Sequence, residues 1–202
     1  MSYLQTPSSS GGVNGHWQRH VGTVPFKLYY ESQDTVESNQ QATVAANLIY
    51  ANPFPSGLGG MVDEIAISSL VAGSVGMLIR LGIYASTSDN NVYPSSLIAD
   101  SGDIDFTSVA AKIAPISAKL AAGKLYWLVL VANNTVFRTN WNLGSAGCVY
   151  LGRSNIQIAS QGNIGIQVSR AFGAFPATFP AGGSLIGGVS PAMPRIYVHF
   201  AS

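Results

Sequence analysis

Three aspartates in the stretch ADSGDID, Asp100, Asp103 and Asp105, with Asp89 shortly before them, are the residues from which a cation site could be built. A calcium ion takes roughly six to eight oxygen ligands, and clustered carboxylates supply them. Their spacing matches no calcium loop, however, and Asp-Ser-Gly-Asp is equally the chemistry of a turn, where a short carboxylate accepts hydrogen bonds from the local backbone. The turn role is preferred, with the aspartates kept as weak metal candidates. Residues 78–106 are accordingly expected to form a hairpin, with Asp89, Asn90 and Asn91 at its turn and Tyr93-Pro94 opening the return.

His16 and His20 stand four apart around Trp17 and would share one face of a helix. Gly15 and Gly22 oppose that helix, and no glutamate or third ligand lies close, so both are expected at a polar rim. His199 alternates with Tyr197 in a strand-like segment, which predicts a polar position on a sheet face. None of the many serines sits in a G-x-S-x-G elbow, so a Ser-His-Asp triad has no local signature. The glycines of AGGSLIGG, residues 181–188, do not stand between a strand and a helix as a phosphate-cradling loop requires. No catalytic residue and no cofactor is expected, and the chain is taken as a non-enzyme.

Composition narrows the partners. Only 9% of the residues are charged, against roughly 25% in an average soluble protein, so Ser, Thr, Asn and Gln must carry solubility. The net charge is +1 and the basic residues are scattered singly, which offers no footprint for a phosphate backbone; nucleic acid is not an expected partner. The longest apolar runs, such as residues 125–132, fall far short of the roughly 20 residues that cross a bilayer, so neither membrane insertion nor a secretory leader is expected. Cys148 is the single cysteine, which rules out an intrachain disulfide and a thiolate metal site within one chain.

The elements that must position these residues read as strands. Met77, Ile79, Leu81 and Ile83 alternate with other residues at a period of two, and Leu125, Trp127, Val129 and Val131 repeat the pattern. Further short strands are expected at 26–30, 48–51, 63–68, 113–120, 148–151, 164–170 and 195–200, separated mostly by Gly, Pro, Asn or Ser. This predicts an all-β chain with one jelly-roll or β-sandwich domain over residues 26–202 and an extended arm over residues 1–25. The expected core takes Ile79, Leu81, Ile83, Trp127, Val129 and Ile166. Residues 125–131 are apolar on both faces, which suits a central or covered strand. Phe172, Phe175 and Phe179, interleaved with Pro176 and Pro180, either plug the end of the sandwich or present an apolar patch to a partner. The arm is too poor in core-forming residues to offset its own ordering cost, so Tyr3, Leu4, Val13 and Trp17 are expected to dock on a neighbouring subunit.

Several segments together resemble the jelly-roll domains of tailed-bacteriophage virion proteins. They are NLIYANPF from Asn47 to Phe54, RLGIY from Arg80 to Tyr84, Tyr93-Pro94, LIADSG from Leu97 to Gly102, the pattern Leu120, Gly123, Tyr126, Trp127, and PRIYVHF from Pro194 to Phe200. The match covers about residues 47–132 and, more loosely, the C-terminus. The resemblance implies a component of the phage particle surface, made in the host cytoplasm, often a homotrimer and in contact with neighbouring virion proteins. A tail fibre or appendage for host adhesion is the first expectation; a capsid decoration protein clamped by its arm is the alternative. For adhesion, Tyr93, Asn140, Trp141 and Asn142 are the candidate contacts to a host-surface glycan, their competing role being to cap the core.

Overall fold

The computed structural model describes residues 29–31, 37–57, 59–88, 91–135, 138–143, 164–186 and 192–201. The arm, with Tyr3, Leu4, Val13 and Trp17, and the strand expected at 148–151 lie outside the described residues. Within them the chain forms fourteen strands: β1 (Tyr29–Glu31), β2 (Glu37–Thr43), β3 (Leu48–Ser56), β4 (Gly60–Val71), β5 (Leu78–Ser88), β6 (Asn91–Asp100), β7 (Ile104–Asp105), β8 (Ala111–Leu120), β9 (Lys124–Ala132), β10 (Arg138–Leu143), β11 (Gly165–Ser169), β12 (Ser184–Ile186), β13 (Ala192–Pro194) and β14 (Ile196–Phe200). The described residues contain no helix.

The strands form two antiparallel sheets. The first runs β1-β14-β4-β10-β13, with β2 paired to β10 and β8 to β4; the second runs β12-β11-β3-β9-β5-β6, with β7 paired to β5. Apolar side chains of both sheets meet between them: Val62, Ile65, Ile67 and Val198 from the first, Phe54, Ile79, Leu81, Ile83, Leu128 and Leu130 from the second. The protein is therefore an all-β sandwich. Asn52, fully buried, ties the layers directly by donating from Nδ2 to the Pro194 carbonyl at 3.1 Å.

Four of the pairings are nested in sequence. β5 pairs with β6, β4 with β8, β3 with β9 and β2 with β10, each pair enclosing the one before it. The pairs alternate between the two sheets, as they do when one long antiparallel hairpin is rolled over itself. Each step along β2-β3-β4-β5 and along β8-β9-β10 thus crosses the core. At its tip Ser88 stands opposite Asn91, so the hairpin expected within residues 78–106 is formed.

β9 explains the layering. Tyr126, Leu128, Leu130 and Ala132 point into the space between the sheets, while Trp127, Val129 and Val131 point to the other face, and all seven are buried. The second sheet consequently has an apolar cluster on its outer face too, built from Ile49, Ala51, Tyr84, Trp127, Val129, Val131, Ile166 and Val168. The six expected core residues are all buried, but they divide: Ile79, Leu81 and Ile83 face inward, while Trp127, Val129 and Ile166 belong to the outer layer.

A strap, residues 170–183, lies across that outer face and closes it with Phe175 and Phe179. Its amides and carbonyls find partners on the sheet, as buried backbone must. Asn47 accepts Arg170 N on its carbonyl and Phe172 N on its side chain, both at 2.9 Å. Its left-handed φ of 56° is one that Asn tolerates better than most residues. Leu97 N donates to Ala177 O and Phe179 N to Ser95 O, so the strap also covers part of the open edge of β6. Phe175 reaches the sheet only because position 82 is glycine: a Cβ there would lie 3.0 Å from the ring and 2.9 Å from the Ala99 carbonyl oxygen.

The end of β3 departs from expectation. β3 continues through Asn52-Pro53-Phe54-Pro55 to Ser56, where a turn is expected after residue 51. Proline has no N–H for a ladder and is confined to strand edges. β11 pairs with β3 only as far as Ala51, so Pro53 and Pro55 bond β9 on one side and face no ladder partner among the described residues on the other.

The Trp127 indole nitrogen has no hydrogen-bond partner among the described residues, so the side chain acts through packing. Trp127→Ala is expected to cost about 3–5 kcal/mol in chemical denaturation. An unchanged unfolding midpoint would contradict the buried outer layer.

Candidate functional site

The aspartates end β6 and build the turn into β7, and the structure gives each carboxylate a local use. Asp100 Oδ2 accepts Arg80 Nη1 at 2.8 Å and the Phe175 amide at 3.0 Å, while its Oδ1 accepts the Gly102 amide at 2.9 Å. Asp103 Oδ1 accepts Arg80 Nε at 2.5 Å. Asp105 accepts the Thr107 amide at 2.9 Å, and hydrogen bonds from Thr107 hold its carboxyl below the usual carboxylate range. Arg80 is the partner that spacing alone does not reveal. The signal for it is its place on β5, on the face shared with Gly82 and Tyr84, where an unpaired guanidinium would be poorly solvated beside the strap. Among the described residues no group of three or more His, Cys, Asp or Glu is placed to hold a metal ion. Asp89 lies outside the described residues.

The aromatic candidates separate. Tyr93 sits on β6 beside the strap, where its hydroxyl donates to the Pro180 carbonyl at 2.8 Å and accepts the Gly183 amide at 2.9 Å. Its ring meets Phe179 edge-on at 5.6 Å. Phe175 and Phe179 are 6% and 4% exposed, each edge-on to Tyr84, and Phe172 is half-buried against the same cluster. The Phe-Pro segment therefore covers the outer face of the second sheet; it neither plugs the sandwich end nor leaves Phe175 and Phe179 to a partner. Trp127, Tyr84 and Ile166 supply the apolar surface that draws it there. Asn140, Trp141 and Asn142 lie on β10 of the first sheet, opposite Gln41, Pro194 and Met193 respectively. They belong to a strand of the first sheet, and Tyr93 is in the second.

A second polar group occupies the outer face of the first sheet. Cross-strand register aligns Tyr29 of β1 with His199 of β14, and His199 with Glu64 of β4. The Tyr29 hydroxyl donates to the Glu64 carboxylate, and His199 Nδ1 lies 2.5 Å from Asp63 Oδ1. Successive strand residues normally point to opposite faces, but the ladder to β14 shifts register between His199, opposite Glu64, and Phe200, opposite Val62, which leaves Asp63 as an extra residue on β4, and such a bulge re-aims a side chain. It lets both acids serve the same side. The arrangement staples three strands, and it realises the sheet-face position expected for His199.

Of the large apolar residues exposed among the described ones, Met61 and Leu185 stand apart, and the other four lie towards the β4–β5 turn and the start of β8. Gly73 N donates to Phe106 O at 3.1 Å and Ser69 N to Ala110 O at 2.9 Å, so the β4–β5 turn lies beside the segment leading into β8. Val71, Val75, Val109 and Ile113 stand out from this end, Val75 fully and Val109 at 60% exposure. Along β8 the edge itself carries Lys112, Pro115 and Lys119, residue types that hinder pairing with another strand.

No protein-family model matches the chain, and no curated protein matches it.

Two outcomes are expected from this geometry. Asp100→Ala removes the carboxylate shared by Arg80 and the strap, and should cost about 1–3 kcal/mol with faster proteolysis within residues 170–183, the lower half of that range reflecting solvent screening. Wild-type stability and protease resistance would show that the strap holds without it. Burial pushes the Tyr84 phenol far above its usual range, with Arg170 opposing the shift and Asp100 adding to it. A phenol raised in the folded state leaves stability intact below the unfolded pKa of about 10 and loses it as pH climbs higher. Denaturation midpoints measured across alkaline pH should therefore fall, and Tyr84→Phe should fall less steeply; parallel slopes would contradict the assignment.

Proposed function

We propose that the chain is a non-enzymatic structural component of a bacteriophage virion surface, a tail-fibre or appendage protein that mediates attachment or host-surface adhesion. The observation that carries this proposal is the nested strand order, β2·β10, β3·β9, β4·β8 and β5·β6, alternating between the sheets. It supports a jelly roll, the domain type that the ordered segments from Asn47 to Trp127 resemble. Low charge and the exposed Val71, Val75, Val109 and Ile113 suit a chain that works beside copies of itself, as a homotrimer, and beside other virion proteins. In the proposal the arm, residues 1–25, supplies attachment through Tyr3, Leu4, Val13 and Trp17. A host-surface glycan is the proposed adhesion target. Tyr93 contributes to that role by holding the strap, since both hydrogen-bonding functions of its hydroxyl are used within the chain.

The experiment is immunogold labelling of phage particles produced in host cells, with the full chain and with a variant lacking residues 1–20. Label on the tail for the full chain, lost in the variant while the purified variant remains folded and trimeric by light scattering, is the expected result. Label on the head would select a capsid decoration role instead. Particles with no label would overturn the virion assignment, and normal incorporation of the variant would move attachment from the arm to the sandwich.

A further inference from the structure

We draw no further inference here: the strongest candidate, the exposed apolar strip of Val71, Val75, Val109 and Ile113 beside the β8 edge of the first sheet, carries none because nothing in the structure shows what covers it.

Discussion

Burial of β9 on both faces is the constraint on which the rest of the structure depends. A strand with Leu128 and Leu130 on one side and Trp127, Val129 and Val131 on the other cannot leave either face in water. At about 25 cal/mol for each Å² of apolar surface kept from solvent, a large ring such as Trp127 alone carries several kcal/mol. The inner face is covered by the first sheet. Among the described residues no third sheet covers the outer face, and the chain meets the need with an irregular segment rich in Phe and Pro. Two layers of apolar contact thus share one central sheet, with β3, β9 and β5 as the common wall.

An irregular segment can lie on an apolar face only if its peptide groups are satisfied, and this decides how the chemically capable residues are used. Asp100, Tyr84, Tyr93 and Asn47 each bond the strap backbone, and Arg80 in turn holds Asp100. Groups whose types suggest a cation site or a ligand contact are occupied in fastening one part of the fold to another. Proline suits the strap for the same reason, because it has no N–H to satisfy and a restricted φ. Tyr84 and Pro176 join these roles: the phenol donates to the proline carbonyl at 2.7 Å while its ring packs against Phe175 and Phe179. Edges are managed by related means, through the strap on β6 and through lysines and a proline on β8. The proposed assembly role agrees with such a surface, since contacts between copies would then be made by faces and ends more readily than by strand addition.

Much of this was legible in local pattern. Alternation at Ile79, Leu81 and Ile83 marks β5, and the doubly apolar run of β9 announces a covered strand before any partner is known. The turn chemistry of Asp100 to Asp105 and the hairpin tip at Ser88 and Asn91 are likewise local, because Asx turns and tight turns are set by neighbours in sequence. Long-range pairing was not legible. Alternation places Arg80 on the face of β5 shared with Gly82 and Tyr84 but does not say that Asp100 and Asp103 will meet it, and nothing in Phe172 to Phe179 says which surface they cover, because that surface is assembled from β3, β5, β9 and β11. Pro53 and Pro55 read as a turn, yet they extend a strand whose neighbour on one side ends early. Asn140, Trp141 and Asn142 have the composition of a loop, and pairing with β2 and β13 makes them a strand.

Amide hydrogen exchange under native conditions tests the two-layer account most directly. If the strap is an integral layer, the amides of Leu97, Phe175 and Phe179, bonded to Ala177 O, Asp100 Oδ2 and Ser95 O, exchange on the same slow timescale as those of β9 and with the same response to denaturant. Rapid exchange at these three positions, with β9 still protected, would contradict it and would mean that the outer face of the second sheet is closed by something other than residues 170–183.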